Sequence, residues 1–283
     1  MRFPFFRKPK ERRARAPEPI EHSTALYLDP IYLDFEYRVG NLQGVGTRRA
    51  QEDSFAVANV FDEEKIREEG LFFMVCDGMG GMKDGALASQ TAIGHIRNGF
   101  FDMDREGDLA AQLRDCVFAA SAEVEAVIGG DGGSTAVGGI IYNDKFYYAS
   151  VGDSSLFLLR SGSLYRLNRE QNLCHEKYLD RIREGNMVPG DLQDDREAPA
   201  LTAFLGMEGL SDIDCSVRPL PIERGDVLMA CSDGVAGVLS EAEITEALRM
   251  DSVQEACAWM EQRIQAYARI NQDNYTAVVV KCS

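Results

Sequence analysis

Aspartate set directly against an unbroken apolar run is the recurring chemical feature of this sequence. Leu71-Phe72-Phe73-Met74-Val75-Cys76 ends in Asp77-Gly78-Met79-Gly80-Gly81, and Val227 to Cys231 ends in Ser232-Asp233-Gly234. Phe146 to Val151 leads into Gly152-Asp153-Ser154, whereas Glu52-Asp53 precedes the run Phe55 to Ala58 and Asp273-Asn274 precedes Tyr275 to Val280. A bulky apolar run without alternation reads as a strand covered on both faces, and a glycine after it lets backbone approach whatever the carboxylate holds. Aspartates converging from several strand ends repel one another and push each other's pKa up, so they need a compensating cation. Hard divalent metal suits such an all-oxygen donor set. Just before Glu52-Asp53, the turn Gly46-Thr47-Arg48-Arg49-Ala50-Gln51 presents arginine, whose planar fork can take two phosphate oxygens at once.

The elements that must position these groups follow from periodicity. Leu33 to Val39 reads as a strand, Gly40 to Ala50 as turn-rich, and Ser54 to Val60 as the second arm of an opening hairpin. Beyond the Asp77 loop, Leu87, Ala88, Ala92, Ile96 and Phe100 recur at helical spacing, as do Leu109, Leu113, Val117, Ala120, Val124 and Val127. This predicts two antiparallel helices on one sheet face. Strands over Ala136 to Tyr142, up to Val151, over Leu156 to Arg160 and over Leu164 to Leu167 read as an antiparallel meander, with Ser161-Gly162-Ser163 as its last turn. Asn168 to Pro199 is polar and poorly periodic, which predicts an inserted flap over about 168–200 rather than a core element. Ser240 with Glu243 and Ser252 with Glu255 fit the capping-box signature of two helix starts before a final strand from Tyr275 to Lys281. The class is α+β, with packed antiparallel sheets flanked by helix pairs.

Composition narrows the function further. The 283 residues carry a formal net charge of −16, which argues against a nucleic-acid partner, because phosphate-backbone binding needs a basic face. No apolar stretch approaches a membrane span, and no signal-peptide core opens the chain. Seven cysteines without a Cys-x-x-Cys pair predict reduced thiols and a cytoplasmic location. Residues 1–30 form a basic tail with Phe3, Phe5 and Phe6, read either as a solvated, disordered segment or as one that touches an acidic surface. His22, His95 and His175 match no ligand spacing and read as structural.

Taken in order, Gly46 to Asp53, Asp77 to Gly81, Gly133-Ser134-Thr135, Gly152-Asp153-Ser154, Ser232-Asp233-Gly234 and Asp273-Asn274 resemble the metal-dependent protein serine/threonine phosphatases of the PPM/PP2C family, in a compact bacterial form. The resemblance implies a four-layer α-β-β-α sandwich over residues 31–283 and hydrolysis of phosphoserine and phosphothreonine by a two-metal-activated water. It also implies two Mn²⁺ or Mg²⁺ ions. Asp77 would bridge them, Gly78 would lend its carbonyl, Asp53, Asp233 and Asp273 would complete the shells, and Glu52 would act through water. Arg48 would hold the substrate phosphate, and Asp153 with Asp233 would bind a weaker third metal. Phosphoprotein substrates, an opposing bacterial serine/threonine kinase with its targets, and a monomeric enzyme are the implied setting. Gln51, Met79, the Asn168-Arg169-Glu170-Gln171 segment and Gly237 depart from the family's usual residues. Two other functions compete: a regulator that binds phosphoproteins without hydrolysis, disfavoured by the retained carboxylates, and a stress- or sporulation-type phosphatase acting on an anti-sigma partner, disfavoured by Arg48.

Overall fold

The computed structural model describes residues 35–79, 85–129, 132–185 and 200–283, all within one compact unit. The basic tail expected over residues 1–30 lies outside the described residues. In chain order the elements are β1 (Tyr37–Gly44), β2 (Ser54–Ala58), α1 (Glu63–Glu69), β3 (Leu71–Cys76), α2 (Gly85–Asp102) and α3 (Leu109–Ile128). Next come β4 (Ala136–Tyr142), β5 (Lys145–Val151), β6 (Ser155–Arg160), β7 (Ser163–Arg166) and α4 (Leu173–Arg183). The chain closes with β8 (Asp214–Cys215), β9 (Leu220–Pro221), β10 (Val227–Cys231), α5 (Asp233–Ala236), α6 (Glu241–Leu248), α7 (Val253–Tyr267) and β11 (Tyr275–Cys282).

Two antiparallel sheets result, one ordered β1-β11-β10-β6-β7 and the other β2-β3-β4-β5-β8, with β9 also on β5. Alternation along the strands builds three apolar layers. On β3, Leu71, Phe73 and Val75 face Leu158, Leu228 and Val278 of the opposite sheet. Phe72, Met74 and Cys76 face Ala92, Ile96 and Phe100 of α2 and Val117 of α3. On the far side, Met229 and Val279 meet Ile244, Met260 and Ile264 of α6 and α7. Helix pair, sheet, sheet and helix pair thus stack as expected, and β3 is buried at all six positions because both its faces are covered. Phe73 stacks on Phe146 with centroids 5.5 Å apart, and Phe72 on Phe100 at 5.3 Å.

Local signals fix the helix ends. Asp108 caps α3 by accepting from Ala111 N, and Gly129 ends that helix at φ 66°. Ser240 and Glu243 form the reciprocal box on α6, and Ser252 accepts from Glu255 N on α7. Among the described residues no helix is long and apolar enough to cross a membrane.

Three expectations are corrected. β1 and β2 form no hairpin: β1 extends through Gly44 and pairs with β11, while β2 pairs with β3 in the other sheet. Alternation marks a strand but carries no information on its partner, and β11, the last strand, outcompetes β2 for β1. The meander is likewise split, since β5 pairs with β4 whereas β6 pairs with β10 and β7, so the chain changes sheets at Gly152-Asp153-Ser154. The flap expected from Asn168 is not peripheral at its start. Asn168, Gln171 and Asn172 are buried, and Asn172 caps α4 by accepting from His175 N. Its later part, residues 186–199, lies outside the described residues. The short helix α1, capped by Asp62, was not foreseen because none of its residues is buried, so it leaves no apolar stripe.

Stability should rest on the inter-sheet stack. Phe146→Ala should cost about 3–5 kcal/mol in urea unfolding, whereas Phe61→Ala, at a fully exposed aromatic, should change it by less than about 0.5 kcal/mol. Equal effects of the two would displace the inter-sheet layer from the core.

Candidate active site

Strand register brings the carboxylates together. Ser54 lies opposite Cys76, so Asp53 and Asp77 leave neighbouring strands side by side. Cys231 lies opposite both Ser155 and Ala277, which carries the Asp153 turn, Asp233 and Asp273 to one end of the other sheet. Ser232 joins the two rims: its hydroxyl donates to Asp53 Oδ2 at 2.9 Å and accepts from Thr276 N at 3.0 Å.

Each carboxylate rests on a braced backbone. Asp77 N donates to Thr135 Oγ1 at 3.0 Å, while Thr135 N and Ser134 Oγ donate to Asp77 O at 2.8 and 3.0 Å. Thr135 Oγ1 also shares a 2.8 Å hydrogen bond with Ser154 Oγ, tying Asp77 to the sheet-switching turn. Gly78 N donates to Glu52 O at 3.2 Å, and a Cβ at Gly78 would lie 2.1 Å from Gly85 O and 2.5 Å from Glu52 O, so only glycine fits there. Asp153 follows Gly152, whose N–H donates to Gln171 Oε1 at 2.8 Å and whose carbonyl accepts from Gln171 N at 2.9 Å. Asn168 Nδ2 holds Ser150 Oγ and Ser154 O at 2.8 Å each. Thr135 and Ser154 enter the sequence reading only as members of quoted motifs, and Asn168 and Gln171 only as departures from the family's usual residues; their bracing role follows from their burial and hydrogen bonds. Gln51 braces its neighbours: Nε2 donates to Gly44 O at 3.0 Å and Oε1 accepts from Asp53 N at 3.0 Å.

Burial is the main force on the acid groups. It pushes Asp53 up to about 6, against the lowering hydrogen bonds of Thr276, Ser232 and Asp77 and with the added repulsion of Asp233. Asp77 rises well above the carboxylate range, first through burial and then through Asp53, Asp233, Asp153 and Asp273. Asp153 is pushed up to about 7 by burial and by Asp233. Asp233 also rises, by burial and by Asp273; its residue surface is open to solvent, so this rise is the most screened of the set. The Asp77 carboxyl lies close enough to Asp53 and Asp233 to moderate the rise of each.

Arg48 meets the cluster at its edge. Its Nη2 donates to Asp273 Oδ2 at 2.6 Å, with both side chains roughly half exposed, and Asp273 Oδ1 accepts from Asn274 N at 2.8 Å. Arg49 on the same turn is exposed. The opposite end of β10 shows the contrast: buried Asp226 accepts from Arg160 Nε and Nη2 at 2.9 and 2.6 Å. One end of the strand neutralises its carboxylate internally, and the other gathers carboxylates with Arg48 and Arg166 at their edge.

The donor set fits hard cations. Every candidate ligand offers oxygen, and Asp53 Oδ1 is buried with no hydrogen-bond partner. Among the described residues no three acidic, histidine or cysteine side chains already form a closed ligand shell.

The protein phosphatase 2C family profile matches residues 37–191. The chain belongs to the protein phosphatase 2C family. It is therefore an enzyme, a protein phosphatase of the serine/threonine class. It is 26% identical over 243 residues to the serine/threonine phosphatase stp of Listeria monocytogenes, covering 83% of this chain and 91% of that one. It is also 26% identical over 188 residues to the protein phosphatase PhpP of Streptococcus pneumoniae, covering 63% of this chain and 72% of that one. The fold superposes on the Mycobacterium tuberculosis serine/threonine phosphatase PstP/Ppp with a TM-score of 0.71 at 24% identity, covering 87% of this chain and 98% of that one. A structure of the PstP catalytic domain in complex with two manganese ions superposes with a TM-score of 0.69 at 24% identity, covering 88% and 99%.

The raised acid groups set a pH dependence. Asp153 binds its proton more tightly folded than unfolded, so its contribution is fully present below about pH 4 and is lost as pH rises through about 7. Asp153→Asn should therefore raise the Tm of chelator-treated protein relative to wild type at pH 8, and leave the two close together at pH 4.5. Scanning calorimetry checks this; an equal difference at both pH values would contradict it.

Proposed function

We propose that this phosphatase hydrolyses phosphoserine and phosphothreonine in proteins with two Mn²⁺ or Mg²⁺ ions held by the inter-sheet carboxylates, opposing a bacterial serine/threonine kinase. The observation that carries the reading is the convergence of Asp53, Asp77 and Asp233 from two sheets, each raised by burial and by a neighbouring carboxylate, with a buried oxygen of Asp53 unpartnered. Asp77 and the Gly78 carbonyl, with Asp53, Asp233 and Asp273, would hold the pair, Glu52 would act through water, and Asp153 with Asp233 would hold a weaker third ion. When bound, such a pair supplies Lewis-acid chemistry, acidifying water and drawing charge from the phosphoryl group. The names of the Listeria and Streptococcus relatives support the activity, and the manganese-bound PstP domain supports the metal.

The chain's own groups set orientation and proton traffic. Arg48, on an exposed loop over the cluster, presents the fork that suits two phosphate oxygens, and engaging them means leaving Asp273. Its departure frees Asp273 Oδ2 at the same moment, so phosphate capture and the release of an acidic donor are linked. Met79 carries no titratable proton at the position beside Gly78, so this side chain supplies none to the leaving serine or threonine oxygen. The retained carboxylates favour hydrolysis over a purely phosphoprotein-binding role.

Hydrolysis of a phosphothreonine peptide and of p-nitrophenyl phosphate, each with Mn²⁺ and with chelator, tests the proposal; turnover that persists in chelator would overturn it. Asp77→Asn or Asp233→Asn should lower kcat by at least about a thousandfold. Arg48→Lys should lose roughly 1.5–3 kcal/mol in kcat/KM despite the kept charge, and Arg49→Ala far less. Greater sensitivity at Arg49 would show that the arginine register is wrong.

A further inference from the structure

We propose that Asn274 is the positioning residue that orients Arg48 toward the substrate phosphate, an inference that rests on the phosphate-binding role proposed for Arg48. Asn274 is 4% exposed, and its carboxamide is fully used by the backbone of one loop. Oδ1 accepts from Glu52 N at 2.8 Å, while Nδ2 donates to Val45 O at 2.9 Å and Ala50 O at 3.0 Å. These three groups are the two feet and the exit of the loop that carries Arg48. The residue before it, Asp273, takes the tip of the same loop through the 2.6 Å contact with Arg48.

The rest of the seam agrees with this reading. Thr47 N and Oγ1 both donate to Gln272 O, at 2.9 and 3.0 Å. Gly46 has φ 62° and packs so closely that a Cβ would lie 2.3 Å from Asp273 O. Loop 45–52 is otherwise without regular structure before β2, and arginine is long and rich in rotamers, so a two-point grip on phosphate needs a fixed base. A carboxamide alone among similarly sized side chains accepts one backbone N–H and donates to two carbonyls. Aspartate, its isostere, would keep the Glu52 bond and set lone pairs against Val45 O and Ala50 O. The sequence hides this role, because Asn274 reads there only as the neighbour of Asp273.

The test is a double-mutant cycle on the full chain with saturating Mn²⁺, read as the competitive Ki of inorganic phosphate and as the KM and kcat of p-nitrophenyl phosphate. Arg48→Ala should raise the phosphate Ki. Asn274→Ala and Asn274→Asp should each raise it about tenfold with the larger change in KM rather than kcat, and in the Arg48→Ala background should change it less than about twofold. Calorimetric Mn²⁺ affinity of Asn274→Ala should stay within about threefold of wild type. The same factor in both backgrounds, or an unchanged Ki in Asn274→Asp, would overturn the role of Asn274 while leaving Arg48 in place. An unchanged Ki in Arg48→Ala would instead overturn the phosphate role of Arg48 and this inference with it. If Asn274→Ala does not fold, the isosteric Asn274→Asp carries the cycle by itself with the same expected rise of about tenfold; additivity with Arg48→Ala would again overturn the proposal.

Discussion

Mutual repulsion in a cluster of crowded carboxylates, only partly offset by the arginines at its edge, is the constraint on which the rest of the structure turns. Asp53 and Asp77 stand on one sheet, Asp153, Asp233 and Asp273 at the matching end of the other, and burial raises the pKa of four of them. A hydrophobic core gains nothing from such a cluster, and replacing buried charge by apolar packing is often neutral or stabilising. The protein holds it by spending hydrogen bonds at its base. Ser232 and Thr276 steady Asp53, Thr135 and Ser134 steady the Asp77 backbone, and Gln171 with Asn168 steadies the turn through Asp153.

The four-layer architecture supplies the rigidity this requires. Of the strands that deliver acid groups, β3, β6, β10 and β11 are buried on both faces, by the opposite sheet on one side and a helix pair on the other, so their ends have little freedom to recoil, while the half-buried β2 is held by its pairing with β3. The two ends of β10 show that the crowding is selective. Arg160 satisfies Asp226 at one end, and at the other Asp233 joins the cluster, with Arg48 at the rim engaged by Asp273 alone. The proposed function draws on that arrangement: acidic oxygens suited to cations, with the Arg48 guanidinium at their edge suited to a phosphate.

Much of the fold was legible because its elements are locally consistent. The apolar run of β3, the helical spacing of α2 and α3 and the capping box at Ser240 each state one structural choice without reference to distant residues. Pairing was not legible. β1 joins β11 across almost the whole chain, and the sheet change between β5 and β6 occurs inside a run of strands that alternation alone makes continuous. The acid groups could be found because aspartate after an apolar run is conspicuous, whereas Asn168 and Gln171 sit in a polar stretch and become visible as braces only once they are seen to be buried. The Asp273 partner of Arg48 was hidden for the same reason as the pairing of β1: both depend on the last strand returning to the first.

The most direct measurement of the central claim is the number of protons released when Mn²⁺ binds to chelator-treated protein, obtained by titration calorimetry in buffers of different ionisation enthalpy. Carboxyl groups that hold protons folded must give them up to a cation, so metal uptake and proton release are linked. With Asp53 at about 6 and Asp153 at about 7, the account predicts release of about one proton or more per chain at pH 6, falling toward zero by pH 8.5. Mn²⁺ binding with no proton release at pH 6, or with a release that does not change with pH, would contradict it.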